Sequence, residues 1–428
     1  MNPFSRRQFL QRTALGTAGI AWAAGPGWGP RVLGANDRIV LAVMGANGRG
    51  SDLAAGFLKL GGVEIGVVCD VDDRALAKGV QTVVKGGGRE PRGVRDVRRV
   101  LDDRSVDALV VATPDHWHGP ATILACSAGK HVYVEKPACH NPQEGEWMIA
   151  AARKHRRVVQ VGMQRRSMPQ IIEAIERVRA GAVGTVRFSR GWYTNTRGSI
   201  GRGRPVPVPA GLDWTLWQGP APERPFRDNI VHYHWHWFWH WGTGELGNNG
   251  IHALDLCRWG LGVDFPQRVV SGGGRYHFPD DQETPDTQVV TFEFGDRAIT
   301  WEGRSCQRHG LEGSGFGASF HGDQGTLVTD GTGYRIYDAA DKEIQKVPGT
   351  GGDAPHLRDF LDAIRSGRQP RADIDEGHRS TLLCHLGNIA WRTSGAVTCD
   401  PRNGRLAGDR AARKLWEREY RKGWVPRP

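Results

Sequence analysis

A glycine-rich turn between a buried strand and a helix limits the fold of this chain more than any other feature. Ile39–Met44 is a continuous apolar run, which is typical of a strand covered on both faces of a parallel sheet. The segment Gly45–Gly50 follows, and Leu53, Phe57 and Leu58 then mark the inner face of a helix. The first N–H groups of such a helix can bind a phosphate. The pattern therefore predicts an α/β fold with an anion site at this turn.

The residues of the turn have separate roles in this prediction. Gly45 allows a sharp turn, and Gly50 allows the helix to approach the strand closely. Asn47 stands where the usual fingerprint has its central glycine, and Gly48 supplies flexibility one position later. With Arg49 at the start of the helix, these residues form the predicted pyrophosphate site.

An acidic residue beyond the turn indicates which phosphate compound is bound. A second apolar strand, Val63–Cys69, ends at Asp70, about 20 positions after the turn. A carboxylate at this distance can accept hydrogen bonds from both ribose hydroxyls of a dinucleotide. Because Asp70 would repel a 2′-phosphate, the pattern favours NAD, while Arg74 one helical turn later leaves NADP possible.

The N-terminal segment predicts export. Arg6 and Arg7 precede an apolar, charge-free run, Thr13–Ala24, that is too short to span a bilayer as a stable helix. The pattern resembles the twin-arginine signal, which is read by machinery that exports folded proteins. Residues 1–35 are therefore assigned to a signal peptide, and a periplasmic or otherwise exported protein is expected. No later segment offers an uninterrupted apolar stretch of membrane length.

Composition argues against several other classes of protein. The 57 Lys and Arg residues against 46 Asp and Glu residues give a net charge of +11, but the basic residues are scattered along the chain. Nucleic-acid binding needs a basic stripe, so no nucleic-acid partner is expected. The 7 cysteines include no Cys-x-x-Cys pair, which argues against a disulfide framework or a zinc knuckle. They are interpreted as buried small hydrophobic residues.

Two further predicted strands end in polar residues. Val106–Ala112 is followed by Thr113 and Pro114, and Val132–Val134 runs into a Glu-Lys-Pro element. Open α/β sheets bind ligands at the carboxyl ends of their parallel strands, so both breaks are expected to face the cofactor. The residues assigned to the cofactor from these breaks are Thr113, Pro114, His118, Glu135 and Lys136.

These motifs, above all the Glu135-Lys136-Pro137 element, resemble those of the Gfo/Idh/MocA oxidoreductases, the family of glucose-fructose oxidoreductase and inositol dehydrogenase. The resemblance covers nearly everything after residue 37. It implies an N-terminal Rossmann dinucleotide-binding domain, residues 36–165, and a C-terminal α+β domain, residues 166–428, with a large, open, mostly antiparallel sheet. It also implies a homo-oligomer, because family members are often dimers or tetramers built on that sheet.

Lys136 has the chemistry that alcohol oxidation requires. A hydride leaves carbon while a proton leaves oxygen, so the site needs a base poised near neutral pH. Desolvation and a nearby positive nicotinamide both lower the pKa of a lysine. Lys136 is therefore predicted to take the proton or to bind the substrate oxygen. The alternative is a surface lysine paired with Glu135.

A second run of residues, Gly247–Asp255, contributes the other catalytic candidates. The family pattern here has Asp, then His four positions later and Asp three after that, and Asn248, His252 and Asp255 occupy these places on one helical face. The resemblance assigns proton transfer to His252, whose imidazole is expected to titrate near neutrality. Asn248 departs from the pattern, since an amide orients a partner but cannot act as a base. This departure shifts proton transfer onto Lys136 and His252, or marks a different reaction.

The segment Val231–Trp241 alternates histidine with aromatic residues. In a strand, His232, His234 and His236 would share a face and could form a metal site. We prefer a carbohydrate pocket, because aromatic rings and imidazoles together fit the C–H faces and polar edges of sugars; a purely structural aromatic core is a further interpretation. No metal is assigned. The residues assigned to substrate binding are Gln164, Arg165, His234, His236, Trp237 and His252.

The sequence therefore predicts an exported, NAD-dependent oxidoreductase that acts on a sugar, polyol or glycoside hydroxyl with a tightly bound cofactor. One alternative is an NAD-dependent glycosidase or lyase that works through transient oxidation at C3 of a sugar. Another is a carbohydrate-binding protein that has kept an inactive dehydrogenase fold.

Overall fold

The computed structural model describes residues 38–393, 395–408 and 410–428. The predicted signal peptide, residues 1–35 with Arg6 and Arg7, lies outside the described residues, and export stays a prediction. Among the helices within the described ranges, none combines the length and apolar character needed to cross a bilayer.

The first sheet in the described part of the chain has six parallel strands in the order β3-β2-β1-β4-β5-β6. This is the Rossmann order, and it confirms the predicted α/β class. The strands are β1 Ile39–Met44, β2 Val63–Cys69, β3 Arg92–Val94, β4 Ala108–Val111, β5 His131–Val134 and β6 Val159–Val161. The intervening helices are α1 Arg49–Leu60, α2 Asp73–Lys85, α3 Val97–Leu101, α4 Asp115–Ser127 and α5 Pro142–Lys154.

Strand β1 lies at the centre of this sheet. Its last residue, Met44, pairs with Cys69 on one side and with Val111 on the other. The chain directions from β1 to β2 and from β1 to β4 diverge here, which opens a crevice at the carboxyl ends of the strands. The glycine turn after β1, Asp70 after β2 and Thr113 after β4 therefore meet at one edge of the sheet.

The second sheet has ten strands among the described residues, in the order β14-β13-β12-β11-β7-β10-β9-β8-β15-β16. Only the pairing of β7 with β10 is parallel in this part of the chain, which confirms the predicted large, mostly antiparallel sheet. Its strands are β7 Val186–Thr194, β8 Arg268–Gly274, β9 Thr287–Phe294, β10 Arg297–Arg304, β11 Phe316–Gly322, β12 Gly325–Thr329, β13 Tyr334–Asp338, β14 Glu343–Val347, β15 Ala396–Cys399 and β16 Leu406–Ala407.

Helices cover one face of the second sheet and join it to the first. The α helices of this half are α6 Pro169–Arg179, α7 Trp214–Gln218, α8 Ile251–Leu261, α9 Ala354–Ser366, α10 Ile374–Arg392 and α11 Arg410–Lys414. Helix α8 lies against β7, where a Cβ atom on Gly191 would stand only 2.9 Å from the Cβ of Ala253. Helix α10 packs on α5, where a Cβ on Gly145 would stand 2.1 Å from His378 Nδ1. The second of these close approaches, between α5 and α10, joins the two halves.

The long excursion between β7 and α8 forms a small core of its own. We call residues 200–241 the roof segment. Its stretch before Gly211 has no helix or regular strand, as predicted for Arg197–Gly211. Its buried apolar residues are Ile200, Leu212, Trp214, Trp217, Ala221, Phe226, Ile230, Trp235, Trp237, Phe238 and Trp241.

The alternating histidines of the roof segment do not lie in a strand. A turn leads into a 3₁₀ helix, His234–Trp237, because the tryptophans there pack into the roof core rather than onto a sheet. The alternation therefore does not place His232, His234 and His236 on one face. Across the described residues, no group of three or more His, Cys, Asp or Glu side chains is arranged to hold a metal ion.

Candidate functional site

A cleft of about 670 Å³ lies at the carboxyl ends of β1, β2, β4 and β5. It is the crevice expected from the strand order. Most of the residues predicted for the cofactor and substrate line it. These are Gly45, Asn47, Gly48, Arg49, Asp70, Thr113, Pro114, His118, Glu135, Lys136, Gln164, His236 and Asn248. The predicted site residues that do not line it are Gly50, Arg165, His234, Trp237, His252 and Asp255.

The glycine turn has the geometry that a dinucleotide requires. Gly45 has a φ of +86°, and a Cβ atom there would stand 2.6 Å from the carbonyl oxygen of Ala112. A Cβ on Gly50 would stand 1.8 Å from the carbonyl oxygen of Gly45. Gly50 therefore supports the turn from behind the cleft, while a Cβ on Gly48 would meet nothing within 4 Å. The first turn of α1 is thus open toward the cleft.

Asp70 is held in place by backbone N–H groups. Its Oδ2 accepts a hydrogen bond from Ala46 N at 2.7 Å, and its Oδ1 accepts one from Asp72 N at 3.0 Å. Each carboxylate oxygen can accept a second hydrogen bond, so two ribose hydroxyls could still bind. Desolvation raises the pKa of Asp70 above its ordinary value, and the two backbone hydrogen bonds act in the opposite direction.

Lys136 is bound by Asn248 across the cleft. Its Nζ donates to the backbone oxygen of Asn248 at 2.7 Å and to Oδ1 at 2.8 Å. Glu135 is engaged elsewhere, because its Oε1 accepts from Arg49 Nε at 2.8 Å. Desolvation lowers the pKa of Lys136 below the ordinary range of a lysine. The arrangement differs from a surface lysine paired with Glu135.

His252 is buried in the first turn of α8. Burial lowers the pKa of its imidazole well below the ordinary value, and the nearby charges of Arg165 and Lys136 add to this effect. The imidazole is therefore neutral at neutral pH, which corrects the expectation that it titrates near neutrality. The ring is therefore not a resident cation.

Asp255 faces away from the cleft. Arg166 Nε donates to both of its carboxylate oxygens at 2.9 Å, and Ser380 Oγ donates to Oδ1 at 2.6 Å. Its predicted neighbour Asn248 lies in a π turn, Leu246–Gly250, that precedes α8. The three predicted residues are close in sequence, but the Asp255 carboxylate belongs to a buried ion pair with side-chain exposures of 5% and 2%.

The roof segment closes the cleft opposite the glycine turn. His232 Nε2 lies 3.1 Å from Asp72 Oδ2, and the Asp72 side chain also caps helix α2. At the other side, the carbonyl oxygen of Trp217 lies 2.9 Å from both His116 Nε2 and Trp117 Nε1. The roof thus bridges the loop after β2 and the start of α4. Its residues that line the cleft are Leu216, Trp217, His232, Tyr233, Trp235 and His236.

Comparison with known proteins gives the family. Residues 39–163 match the NAD-binding Rossmann fold of the Gfo/Idh/MocA oxidoreductase family, and residues 188–426 match its C-terminal alpha/beta domain. The second match alone covers more than half of the 428 residues. The chain belongs to the Gfo/Idh/MocA family.

Individual relatives match parts of this Gfo/Idh/MocA chain. A glycosyl hydrolase family 109 protein of Saccharopolyspora erythraea is 32% identical over 212 residues, which are 45% of this chain and 46% of that protein. An inositol 2-dehydrogenase of Rubrobacter xylanophilus is 31% identical over 167 residues, 38% of this chain and 46% of that protein. The chain therefore spans less than half the length of each of these relatives.

A solved structure of the same fold is levoglucosan dehydrogenase in complex with NADH and levoglucosan. It superimposes with a TM-score of 0.67 and 17% sequence identity, over 85% of this chain and 99% of that one. At this identity the likeness concerns the fold alone.

The cleft of this Gfo/Idh/MocA protein fits NAD. Among the described residues, three buried polar atoms of the cleft lining lack a hydrogen-bond partner, namely Arg49 Nη2, Thr113 Oγ1 and Gln164 Oε1. Buried polar groups in proteins are normally paired, so these atoms suit a polar ligand. The open first turn of α1 and Arg49 would hold the pyrophosphate, and Asp70 would hold the adenosine ribose.

NAD is expected to bind more tightly than NADP, because the Asp70 carboxylate would accept the ribose hydroxyls and repel a 2′-phosphate. Asp70→Ala should weaken the binding of NAD by about 1.5–3 kcal/mol for each hydrogen bond to the Asp70 carboxylate that is lost. Titration of stripped protein with each cofactor measures this preference. Asp96→Ala is the control, since its carboxylate also borders the cleft but is engaged by Arg98. An unchanged NAD affinity in Asp70→Ala would contradict the assignment.

Asp255→Ala is expected to destabilise the fold rather than to act on the chemistry. Without Asp255, the buried Arg166 guanidinium loses its main counter-ion, and breaking a buried ion pair costs about 3–5 kcal/mol. Denaturant unfolding measures the loss. The control is Asp296→Ala, whose pair with Arg187 is exposed and should contribute no more than about 1 kcal/mol. Equal stability of the two variants would argue against a structural role.

Several predicted substrate residues lie outside the cleft lining. The Arg165 guanidinium lies over the ring of Phe316 at 4.1 Å, and burial lowers its pKa to about 10. Trp237 is buried in the roof core, and His234 begins the 3₁₀ helix beside it. Of the aromatic run, His236 is the predicted residue that reaches the cleft, stacked on Trp235 with ring centroids 3.6 Å apart. Burial lowers the pKa of His236 to about 3, so it too is neutral.

Proposed function

We propose that this protein is an exported oxidoreductase that removes a hydride from a hydroxyl-bearing carbon of a sugar, polyol or glycoside, with NAD retained in its cleft. The observation that carries the proposal is the position of the Lys136 amine. This amine, bound to Asn248 at 2.7 and 2.8 Å, shares one cleft with the glycine turn and Asp70. A base and a dinucleotide site within one cleft are the two parts that alcohol oxidation requires.

The residues of the cleft divide the reaction between them. Bound NAD would supply the hydride acceptor. The lowered pKa of Lys136 favours its neutral amine, and this amine takes the proton of the substrate hydroxyl. The family pattern assigns the onward relay of this proton to His252, a neutral imidazole whose pKa is lowered by burial and by the charges of Arg165 and Lys136. Gln164, whose Oε1 is buried and unpaired in the described residues, can accept a hydrogen bond from another substrate hydroxyl.

A carbohydrate substrate is supported by the roof wall of the cleft. Tyr233, Trp235 and His236 line the cleft there, and aromatic rings fit the C–H surface of a sugar ring while ring nitrogens and hydroxyls fit its edges. The names of two relatives described above support the same substrate class, since inositol is a polyol and a glycosyl hydrolase acts on glycosides.

Export and cofactor retention are the parts of the proposal that rest on the leader and the roof. The paired Arg6 and Arg7 ahead of an apolar run favour export after folding, which allows a cofactor to travel inside the protein. The twin-arginine machinery and a homo-oligomer formed on the open sheet complete the proposed partners.

A second candidate function is an NAD-dependent glycosidase, which the match to a family 109 glycosyl hydrolase favours. Hydride removal from C3 of a glycoside gives a ketone, which acidifies the C–H bond at C2. Loss of that proton expels the aglycone from C1, water then adds at C1 while C2 regains a proton, and the hydride returns to C3. Lys136 would serve as the base in both reactions.

One experiment separates these functions from simple carbohydrate binding. The purified protein is mixed with a panel of free sugars, polyols and aryl glycosides, and NADH absorbance and aglycone release are followed together. Accumulating NADH without aglycone release supports the oxidoreductase. Aglycone release without net NADH supports the glycosidase. If a sugar binds to wild type and to Lys136→Met alike, and neither protein produces NADH or releases aglycone, the protein is a carbohydrate-binding protein and not an enzyme.

A further inference from the structure

We infer that Glu245 is a positioning residue. Its carboxylate holds the Asn248 side chain with the amide oxygen toward Lys136. It also supplies, from three positions earlier in the chain, the negative charge that is missing at position 248, where Asn replaces the Asp of the family pattern. The inference rests on the proposed function. Glu245 does not line the cleft, and it was not among the predicted site residues.

The Glu245 carboxylate is almost fully buried, with 3% side-chain exposure, and is surrounded by donors. Arg197 Nε donates to Oε2 at 2.6 Å, and Ser305 Oγ donates to the same atom at 3.1 Å. Asn249 Nδ2 donates to Oε1 at 2.5 Å, and Asn248 Nδ2 lies 3.4 Å from Oε1. These contacts fix the carboxylate directly behind the Asn248 side chain.

An amide side chain has one donor end and one acceptor end. With Nδ2 of Asn248 toward Glu245, its Oδ1 faces Lys136 Nζ at 2.8 Å. If the Asn248 amide were flipped, its Oδ1 would face the Glu245 carboxylate and its Nδ2 would face Lys136 Nζ. Both pairings are unfavourable, because the first brings two acceptors together and the second brings two donors together. Glu245 therefore selects the orientation that aims Lys136 into the cleft.

The same carboxylate connects Lys136 to the aromatic wall of the cleft. The Arg197 guanidinium that binds Glu245 lies 4.9 Å over the ring of Trp237 and donates to the Tyr233 hydroxyl at 2.9 Å. Tyr233 itself lines the cleft. A shift of the roof wall would thus reach Lys136 through Arg197, Glu245 and Asn248, a chain of direct contacts.

The test combines turnover with a measurement on Lys136 that does not need a substrate. In Glu245→Gln the amide orientation is no longer fixed, and kcat should fall about 10²-fold, the effect of a misplaced catalytic group, with NAD affinity unchanged. The pH dependence of Lys136 labelling by an amine-reactive reagent, read by mass spectrometry, should move to lower pH. The sign follows because removal of a nearby negative charge disfavours the ammonium form.

Other charged groups near Lys136 stay in place in this variant. Glu135 and Asp115 favour the ammonium form, Arg49 opposes it, and none of the three is altered. Adding Asn248→Asp to Glu245→Gln returns a carboxylate beside Lys136, so labelling should move back toward higher pH. In Glu245→Asp, which keeps the charge on a shorter side chain, kcat should fall while the labelling curve stays near that of wild type.

The matched control is Asp280→Asn. Asp280 pairs with Arg275 at side-chain exposures of 4% and 21%, close to the 3% and 18% of Glu245 and Arg197, and it does not line the cleft. It should change stability but not Lys136 labelling. A wild-type labelling curve in Glu245→Gln overturns the inference. Absence of any oxidoreductase activity in wild type overturns the proposed function instead. In that case the labelling curves alone test the role of Glu245.

Discussion

Lys136→Ala is expected to abolish turnover while NAD affinity stays within a few-fold of wild type. The Lys136 amine projects into the cleft from the end of β5 and is bound only through Asn248 among the contacts described above. Loss of a general acid or base costs about 10² to 10⁴ in rate. The same loss is expected for His252→Ala. Stopped-flow hydride transfer gives the rate, and fluorescence titration gives the NAD affinity.

Lys130→Ala is the control for this prediction. Lys130 is also a buried lysine whose pKa is lowered by desolvation, but its Nζ donates to the backbone oxygen of Asp103 away from the cleft. Turnover should survive there. In wild type, the rate should rise as pH increases through the lowered pKa of Lys136, because the neutral amine is the active form. Near-normal turnover in Lys136→Ala would remove the lysine from the mechanism.

The first half of the cleft was predictable because local sequence determines it. Strands buried on both faces appear as continuous apolar runs, and their carboxyl ends meet at one edge of a parallel sheet. Local sequence alone therefore predicts that Gly45, Asp70, Thr113 and Lys136 lie at one edge of the sheet, and all four line the cleft. A Cβ clash of 1.8 Å at Gly50 gives the physical reason for the last glycine of the turn.

The second half of the cleft could not be predicted in the same way. Trp217 reaches the cleft from a five-residue helix inside an irregular segment, and its place depends on hydrogen bonds to His116 and Trp117 a hundred positions earlier. Asp255 has the helical spacing of a site residue, but Arg166 and Ser380 bind its carboxylate. Spacing gives the face of a helix, whereas partners from distant segments decide what a side chain does.

The N-terminal leader and the roof together predict that one NAD molecule stays bound through many turnovers. Retention over hours at ordinary association rates of about 10⁵ to 10⁷ M⁻¹s⁻¹ requires nanomolar affinity or tighter. The roof is attached by backbone hydrogen bonds to the loop after β2, next to Asp70. Asp213 N donates to the carbonyl oxygen of Val71 at 2.9 Å, and Asp73 N donates to that of Gly211 at 3.0 Å. Opening of the roof beside Asp70 would break these backbone contacts.

Two substitutions in the roof should therefore release NAD faster. The increase should be about 10²-fold for Trp217→Ala if it removes about 3 kcal/mol of packing, and about fivefold for His232→Ala, whose partly exposed contact with Asp72 contributes about 1 kcal/mol. Trp217→Ala opens the wall of the cleft, and His232→Ala removes the contact with Asp72. Native protein is desalted exhaustively, its NAD content is measured, and turnover is assayed without added cofactor. Wild type should turn over repeatedly, Trp217→Ala should require added NAD, and His232→Ala should lose NAD moderately faster than wild type. Trp391→Ala should behave as wild type, because the Trp391 ring lies outside the cleft lining, tilted against Trp239 with ring centroids 6.1 Å apart. Should native wild type contain no NAD and depend on added cofactor as strictly as Trp217→Ala, the roof would be a substrate wall and not a means of retention.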